Sequence, residues 1–305
     1  MKKIIFLLLL SIFFIAACST QTTEKTATAC PPDCSGGSAG VVSTINSPSN
    51  EGNVYGGDRL LVSVGLVDAG ESSVSNAEVC ETGLDANVFG SLGSCNCQSY
   101  YITLDDTHDA NFQSTQIEFP TAFVSKSATG EQHATVYNRY AYTTYGPFSA
   151  CITTDPFTDT SCTSTGNILT SSSSAPVQID SVTEELSAVG SNSVTMRLRV
   201  KASLSARANE RLIAVADTTS NTCVLAQDPS ITSVSLPLSV ILFGKAQDCG
   251  MLKFENGKYT AEASCKIENI GTNLLIGNQK QYDGWIRLDY GFEHIDSVGF
   301  KIVQQ

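Results

Sequence analysis

The stretch "VTMRLRV" (194–200) sets how the chain is read. Val194, Met196, Leu198 and Val200 form one set, and Thr195, Arg197 and Arg199 form the other. Successive side chains leave a strand on opposite faces, so alternation with period two marks a β-strand with one face buried and one wet. "IRLDYGF" (286–292) repeats the pattern, with Ile286, Leu288, Tyr290 and Phe292 against Arg287, Asp289 and Gly291. Similar runs recur along both halves, punctuated by Gly, Asn and Asp, and no convincing amphipathic helix interrupts them. Charged residues are only 16% of the chain while Ser and Thr abound, which favours strands over long helices.

Two segments can be laid on each other. "STINSPSNEGNVYGGDRLLVSV" (43–64) matches "VQIDSVTEELSAVGSNSVTMRL" (177–198) at an offset of 134. Ile45 then meets Ile179, Ser47 meets Ser181, Gly56 meets Gly190, and Leu60, Val62 and Val64 meet Val194, Met196 and Leu198. Further on the offset is 150. There Val136, Tyr140, Tyr142, Phe148 and Ile152 meet Ile286, Tyr290, Phe292, Val298 and Ile302. The change of offset puts a net insertion of 16 residues inside the second copy. Short strands in segments of this size predict an all-β chain with two tandem antiparallel β-sandwich domains of immunoglobulin-like type. The expected bounds are 41–162 and 177–305, with residues 163–176 ("TSTGNILTSSSSAP") as a polar linker. Neither copy holds a Cys…Trp…Cys pattern and the only Trp is Trp285, so the likeness is to the architecture and not to antibody domains.

The N-terminus reads separately. "MKK" is a basic head, and Ile4 to Ala17 are apolar except for Ser11. This run is shorter than the roughly 20 residues of a membrane span, and its layout is that of a secretory signal. The last four positions, Ile15-Ala16-Ala17-Cys18, resemble the lipobox of prokaryotic lipoprotein signals. That resemblance implies removal of residues 1–17, diacylglycerol on the Cys18 thiol, and a protein held by its lipid, facing outside the cytoplasm. Two acyl chains suffice for stable anchoring where one is marginal. Residues 18–40, small and polar, read as a flexible tether. As a whole the chain resembles tandem-sandwich surface lipoproteins of bacteria and archaea.

Composition narrows the partners. Loss of Lys2 and Lys3 with the signal leaves 16 basic against 30 acidic residues, so the net charge moves from −12 to −14. Nucleic-acid binding needs basic patches, which this balance does not supply. Of eleven cysteines, Cys18 is assigned to the anchor, and the ten that remain are an even number suited to disulfides in an oxidising compartment. Cys30 and Cys34 lie in the tether, five in the first segment and three in the second. If all are paired, at least one bridge must cross between these regions. The expected local pairs are Cys151 with Cys162, because Cys151 falls with the outward set beside Ala150 and Ile152, and Cys249 with Cys265, which flank the turn signal Asn256-Gly257. "CPPDC" (30–34) and "CNC" (95–97) lack paired C-x2-C blocks, and no His stands at partner spacing, so the sequence argues against metal held by cysteine.

Motifs for chemistry are sparse. G-x-S-x-G, H-E-x-x-H, the P-loop and G-x-G-x-x-G before a helix are all missing from the sequence. His108, His133 and His294 are the only imidazoles, and a lone His on a strand or loop is more often structural than catalytic. "LDDTHDAN" (104–111) places Asp105, Asp106 and Asp109 where their oxygens suit a hard cation such as calcium, though an acidic turn is the simpler reading. No other cofactor is expected. Tyr140 and Tyr142 alternate inward, whereas Tyr137 and Tyr145 suit a recognition face, since Tyr serves surfaces that are part apolar and part wet. The expected function is non-catalytic: a lipid-anchored cell-surface module for binding or adhesion, or an accessory subunit of an envelope complex, whose partner is another protein or a second copy. A self-assembling structural subunit and an envelope-polymer hydrolase are the alternatives.

Overall fold

The computed structural model describes residues 40–48, 51–90, 94–103, 113–120, 122–153, 166–188, 193–206, 209–223, 233–255, 257–271 and 280–304. The signal segment, Cys18, Cys162, His108 and the acidic residues Asp105, Asp106 and Asp109 lie outside them.

The chain is all-β, with several antiparallel sheets. The first half carries β1 (Val41–Ser47), β2 (Asn53–Tyr55), β3 (Arg59–Leu60), β4 (Ser63–Asp68), β5 (Val74–Thr82), β6 (Asn96–Ile102), β7 (Gln113–Glu118), β8 (Ala122–Phe123) and β9 (Gly130–Cys151), with one helical turn, α1 (Ala86–Phe89), before β6. The second half carries β10 (Val177–Ala188), β11 (Ser193–Leu204), β12 (Glu210–Ile213), β13 (Ser233–Leu242), β14 (Lys245–Glu255), β15 (Thr260–Gly271) and β16 (Gln281–Val303). A 3-10 turn, Val215–Thr219, follows β12.

The strand orders of the two halves match. Strands β1-β4-β7 form one three-stranded sheet and β10-β11-β15 another. The largest sheet runs β14-β13-β16-β9-β5-β6, so each half supplies three successive strands, and β12 and β2 also pair with β16. Both β1 and β10 slip register against their neighbours, between Ile45 and Ser47 and between Ile179 and Ser181. Those positions are equivalent at the offset of 134. A bulge is an inserted residue that redirects a strand, and its recurrence at one place in both halves is what a shared plan requires.

Strands β9 and β16 join the halves. They pair antiparallel without interruption from Gln281 opposite Cys151 to Ile302 opposite Gly130. At the offset of 150, Ala141 and Gly291 are equivalent, and they face each other in this ladder. An approximate two-fold axis therefore passes through that pair, normal to the sheet. On one face, Tyr140 and Tyr290 accept hydrogen bonds from the backbone N–H groups of Val41 (3.1 Å) and Val177 (3.3 Å), each from the first strand of its own half. Tyr142, Phe148, Ile286, Leu288 and Phe292 share this buried face and belong to one hydrophobic cluster that spans both halves. Val194, Met196, Leu198 and Val200 are all buried, while Arg197 and Arg199 reach solvent, as period two dictates.

The insertion in the second half is visible as an element. Between β4 and β5 the chain makes a short turn, whereas between β11 and β13 it builds β12 and the 3-10 turn. β12 extends the large sheet beside β16, and the 3-10 turn folds over the sheet's other face: a Cβ on Gly291 would meet Ala214 O at 2.7 Å and Thr218 Cγ2 at 2.9 Å. Glycine at 291 thus lets the cap sit directly on the ladder at the axis. Residues 166–176 run along β9, where Ser173 N donates to Tyr145 O (2.8 Å) and Thr170 N to Pro147 O (2.9 Å).

Three disulfides lie among the described residues. Cys80–Cys97 links β5 to β6, Cys249–Cys265 links β14 to β15, and Cys95–Cys223 ties the first half to the end of the cap. The last is a bridge that crosses between the two halves, one of the ways in which the odd counts of a fully paired chain can be met. Cys151 is also disulfide-bonded. It points away from Ala150 and Ile152 yet is buried, and Glu184 of β10 accepts its backbone N–H at 3.0 Å.

Candidate functional site

A groove of about 540 Å³ opens at one end of the β9–β16 ladder. Its floor is three rungs, Glu131 opposite Lys301, Gln132 opposite Phe300 and His133 opposite Gly299. Its wall is the turn before β2, held by hydrogen bonds from Glu51 N to Gly299 O (2.7 Å) and from Lys301 N to Gly52 O (2.9 Å). Alternation decides what each rung shows. Phe300 turns into the core, where it meets Phe89 edge-on at 6.2 Å, while Glu131, His133 and Lys301 turn to solvent. Gly299 leaves room for the neighbouring imidazole: a Cβ there would meet His133 Cε1 at 3.2 Å. The groove thus offers an imidazole, two carboxylates and an ammonium, with the Asn53 amide also in its lining. Such a set hydrogen-bonds polar ligands and supplies charges of both signs.

Of the residues singled out in the sequence, His133 lies in this groove. Tyr137 is half-buried on the same face as His133, with the Arg139 guanidinium 5.4 Å from its ring centre. Tyr145 is also half-buried, and burial pushes its phenol above the ordinary range. The two tyrosines stand eight residues apart on β9, about 26 Å, so they do not share one patch. Glu51, Glu131, Lys301 and Phe300 were not singled out, because β2 and the ends of β9 and β16 meet only through long-range pairing.

His294 lies elsewhere, buried between β1, β16 and Asn209. Its Nδ1 is 2.8 Å from Ser43 Oγ, and Ser43 donates to Asp296 Oδ2 at 2.5 Å. On the far side, Asn209 Nδ2 is 2.9 Å from His294 Nε2 and also donates to Ile295 O at 2.8 Å. An amide NH2 only donates, so Nε2 accepts, and Nδ1–H is assigned to Ser43. A hydrolytic triad sets the imidazole between hydroxyl and carboxylate. Here the hydroxyl bridges imidazole and carboxylate, His294 Nε2 also lies 3.6 Å from Asp296 Oδ1, and the cluster fastens β1 to β16.

Beneath the cap, charges alternate across four strands. Glu78 of β5, Arg139 of β9, Glu293 of β16 and Arg211 of β12 are successive ladder partners on the outer face. Arg139 Nη1 reaches Glu78 at 3.1 Å, Arg139 Nε reaches Glu293 at 2.6 Å, and Arg211 reaches Glu293 at 2.6 Å. Arg139 also donates to Ser220 Oγ (3.2 Å) and to the Thr222 carbonyl of the cap. Among the described residues, three other carboxyls are buried without a cation. Desolvation raises Asp68 to about 6, against hydrogen bonds from Gly70 and Tyr142. It raises Glu81 to about 7, against Asn96, and Glu184 to about 7, against the Cys151 N–H.

No family model matches the chain, and neither a curated protein nor a solved structure matches it.

Proposed function

We propose that the chain is a lipid-anchored, disulfide-braced cell-surface protein acting as a non-catalytic binding or adhesion module, with the groove beside His133 as a contact for its partner. The observation that carries this reading is the Cys95–Cys223 bridge between the halves, together with its neighbour Cys80–Cys97, since such cross-links persist in oxidising compartments. The lipobox-like Ile15–Cys18 and the polar tether that follows supply the anchor and its stand-off.

Each half reads as an immunoglobulin-like sandwich in its strand order. Sheet β10-β11-β15 takes the places of strands A, B and E, and β14-β13-β16 those of C′, C and F. The place beside F, where a seventh strand belongs, holds the long strand of the other half. On this reading the module is a fused pair and not two beads on a string, and its two copies offer a rigid frame for the groove.

A second reading, the self-assembling surface subunit, draws on the two outer strands of the large sheet. Strands β6 and β14 end it, and they carry exposed Tyr101 and Met251. Unpaired strand edges invite pairing with another chain.

The deciding experiment is capture of the detergent-solubilised native protein from its own membranes, with intact mass and partner identification. A diacylated chain beginning at Cys18, with one recurrent partner lost in the Glu131→Ala/His133→Ala variant, is the expected result. Ladders of the protein alone would move the assignment to the structural subunit. A soluble, unlipidated chain would overturn the anchor.

A further inference from the structure

Four cysteines that are scattered in sequence meet at the edge of the cap. Cys80 comes from β5, Cys97 from β6, Cys95 from the residues just before β6, and Cys223 from the end of the cap. Their Sγ atoms all lie within 4.8 Å of one another. They form two bridges, yet sulfurs of different bridges are close: Cys95 Sγ is 3.7 Å from Cys97 Sγ. Four thiolates around zinc, at a Zn–S distance of about 2.3 Å, are separated by roughly 3.8 Å along the edges of the tetrahedron. The cluster already has that scale.

We propose that a dithiol reductant converts this pair of disulfides into a tetrahedral four-cysteine site for one Zn²⁺ ion. Each S–S bond takes two electrons and two protons from one dithiol, which leaves as its own cyclic disulfide. Zinc then displaces four thiol protons and forms four Zn–S bonds, giving a centre of net charge −2. The surroundings fit such a centre. Cys80 and Cys223 are buried, whereas Cys95 is exposed and gives an ion access. Arg139 Nη1 lies 4.0 Å from Cys80 Sγ, and Arg139 Nη2 is buried without a hydrogen-bond partner. A guanidinium beside sulfur favours the thiolate, which is the form that binds metal. The β5–β6 ladder holds Cys80 opposite Cys97 whether or not they are bonded.

The same four sulfurs therefore brace the cap in one redox state and hold a metal in the other. The proposal draws on the same two bridges that carry the surface-module reading, but its titration is read without reference to anchor or partner. The spacing of these cysteines along the chain does not reveal the cluster, because the ligands come from elements that only the folded sheet brings together.

The test is cobalt and zinc titration of the full chain, oxidised and after anaerobic reduction with a phosphine that does not itself chelate. Expected is no uptake when oxidised. After reduction, one Co²⁺ per chain should bind, with the visible bands of tetrahedral cobalt and a thiolate charge-transfer band, and zinc should displace it. The Cys249→Ser/Cys265→Ser variant should bind equally well. Cys80→Ser/Cys223→Ser should lose the charge-transfer band while its circular dichroism stays that of the reduced parent. A reduced, folded chain that takes no ion overturns the proposal. So does a chain that unfolds on reduction and is not restored by zinc, or cobalt spectra unchanged in Cys80→Ser/Cys223→Ser.

Discussion

Replacing Arg139 by Met would remove the one cation that lies between Glu78 and Glu293. All three side chains are at most 3% exposed, so no solvent takes its place. The two carboxylates would not suffer equally. Glu293 keeps Arg211 at 2.6 Å, whereas Glu78 keeps only the Asn221 N–H at 3.0 Å and the Ser220 hydroxyl at 3.3 Å. Breaking a buried pair from one side costs about 3–5 kcal/mol, most of it from the charge left behind. For a chain of this size that is a fall in melting temperature on the order of 10 °C. Urea unfolding at neutral pH, followed by the fluorescence of the single tryptophan, Trp285, reads the loss with the disulfides intact. The Arg139→Met/Glu78→Gln double variant should recover about half of it, because the stranded charge is gone. A single variant within about 1 kcal/mol of the parent would refute the argument, as would a double variant no better than the single.

Other expectations can be checked in the same assay. Asp68, Glu81 and Glu184 have raised pKa values, so the folded chain binds their protons more tightly than the unfolded chain; their contribution is most favourable below about pH 4 and is lost as pH rises through about 7. Glu81→Gln should accordingly gain about 3 kcal/mol at pH 8 and almost nothing at pH 4, and an equal gain at both would dismiss the desolvation account. Cys95→Ser/Cys223→Ser opens a bridge spanning 128 residues and should cost about 5 kcal/mol in the loop-entropy view, with faster amide exchange in the cap. Gly284→Ala drives a methyl into the Phe148 ring, whose Cε2 would be 2.8 Å away, and should cost about 1–3 kcal/mol; wild-type stability would mean that the ring swings aside freely.

The parts of the fold that were legible in sequence are those written locally. Period two in 194–200 and 286–292 needs only neighbouring residues, and the apolar sets are buried where it places them, while of the outward sets Arg197, Arg199 and Arg287 are exposed but Thr195 and Gly291 are covered. The two offsets were legible for the same reason, being comparisons of short runs. The ladder from Glu78 to Arg211 was not. Arg139 sits in "VYNRYAY", where an arginine between tyrosines reads as an ordinary outward residue, and its partners are 61 and 154 positions away. The inserted segment was legible as a length but not as a cap, since nothing in 205–223 says which surface it covers. His294 was noticed as one of three imidazoles, yet Ser43 is 251 residues distant and had no reason to be set beside it.

The ladder between β9 and β16 also sets the order of events when the chain folds. Synthesis delivers the first half early, and a first domain ordinarily folds while the rest follows. Here the long strand of that half cannot complete its pairing until β16, the last of the described strands, has arrived. In the interval Gly130 to Cys151 is an open edge with apolar Tyr140, Tyr142 and Phe148 on one face, the kind of surface that recruits wrong neighbours. Pairing partners so far apart along the chain also slow the final closure. The pairing that completes the large sheet is therefore that of β16 with β9, and until it forms the long edge of the first half stays open.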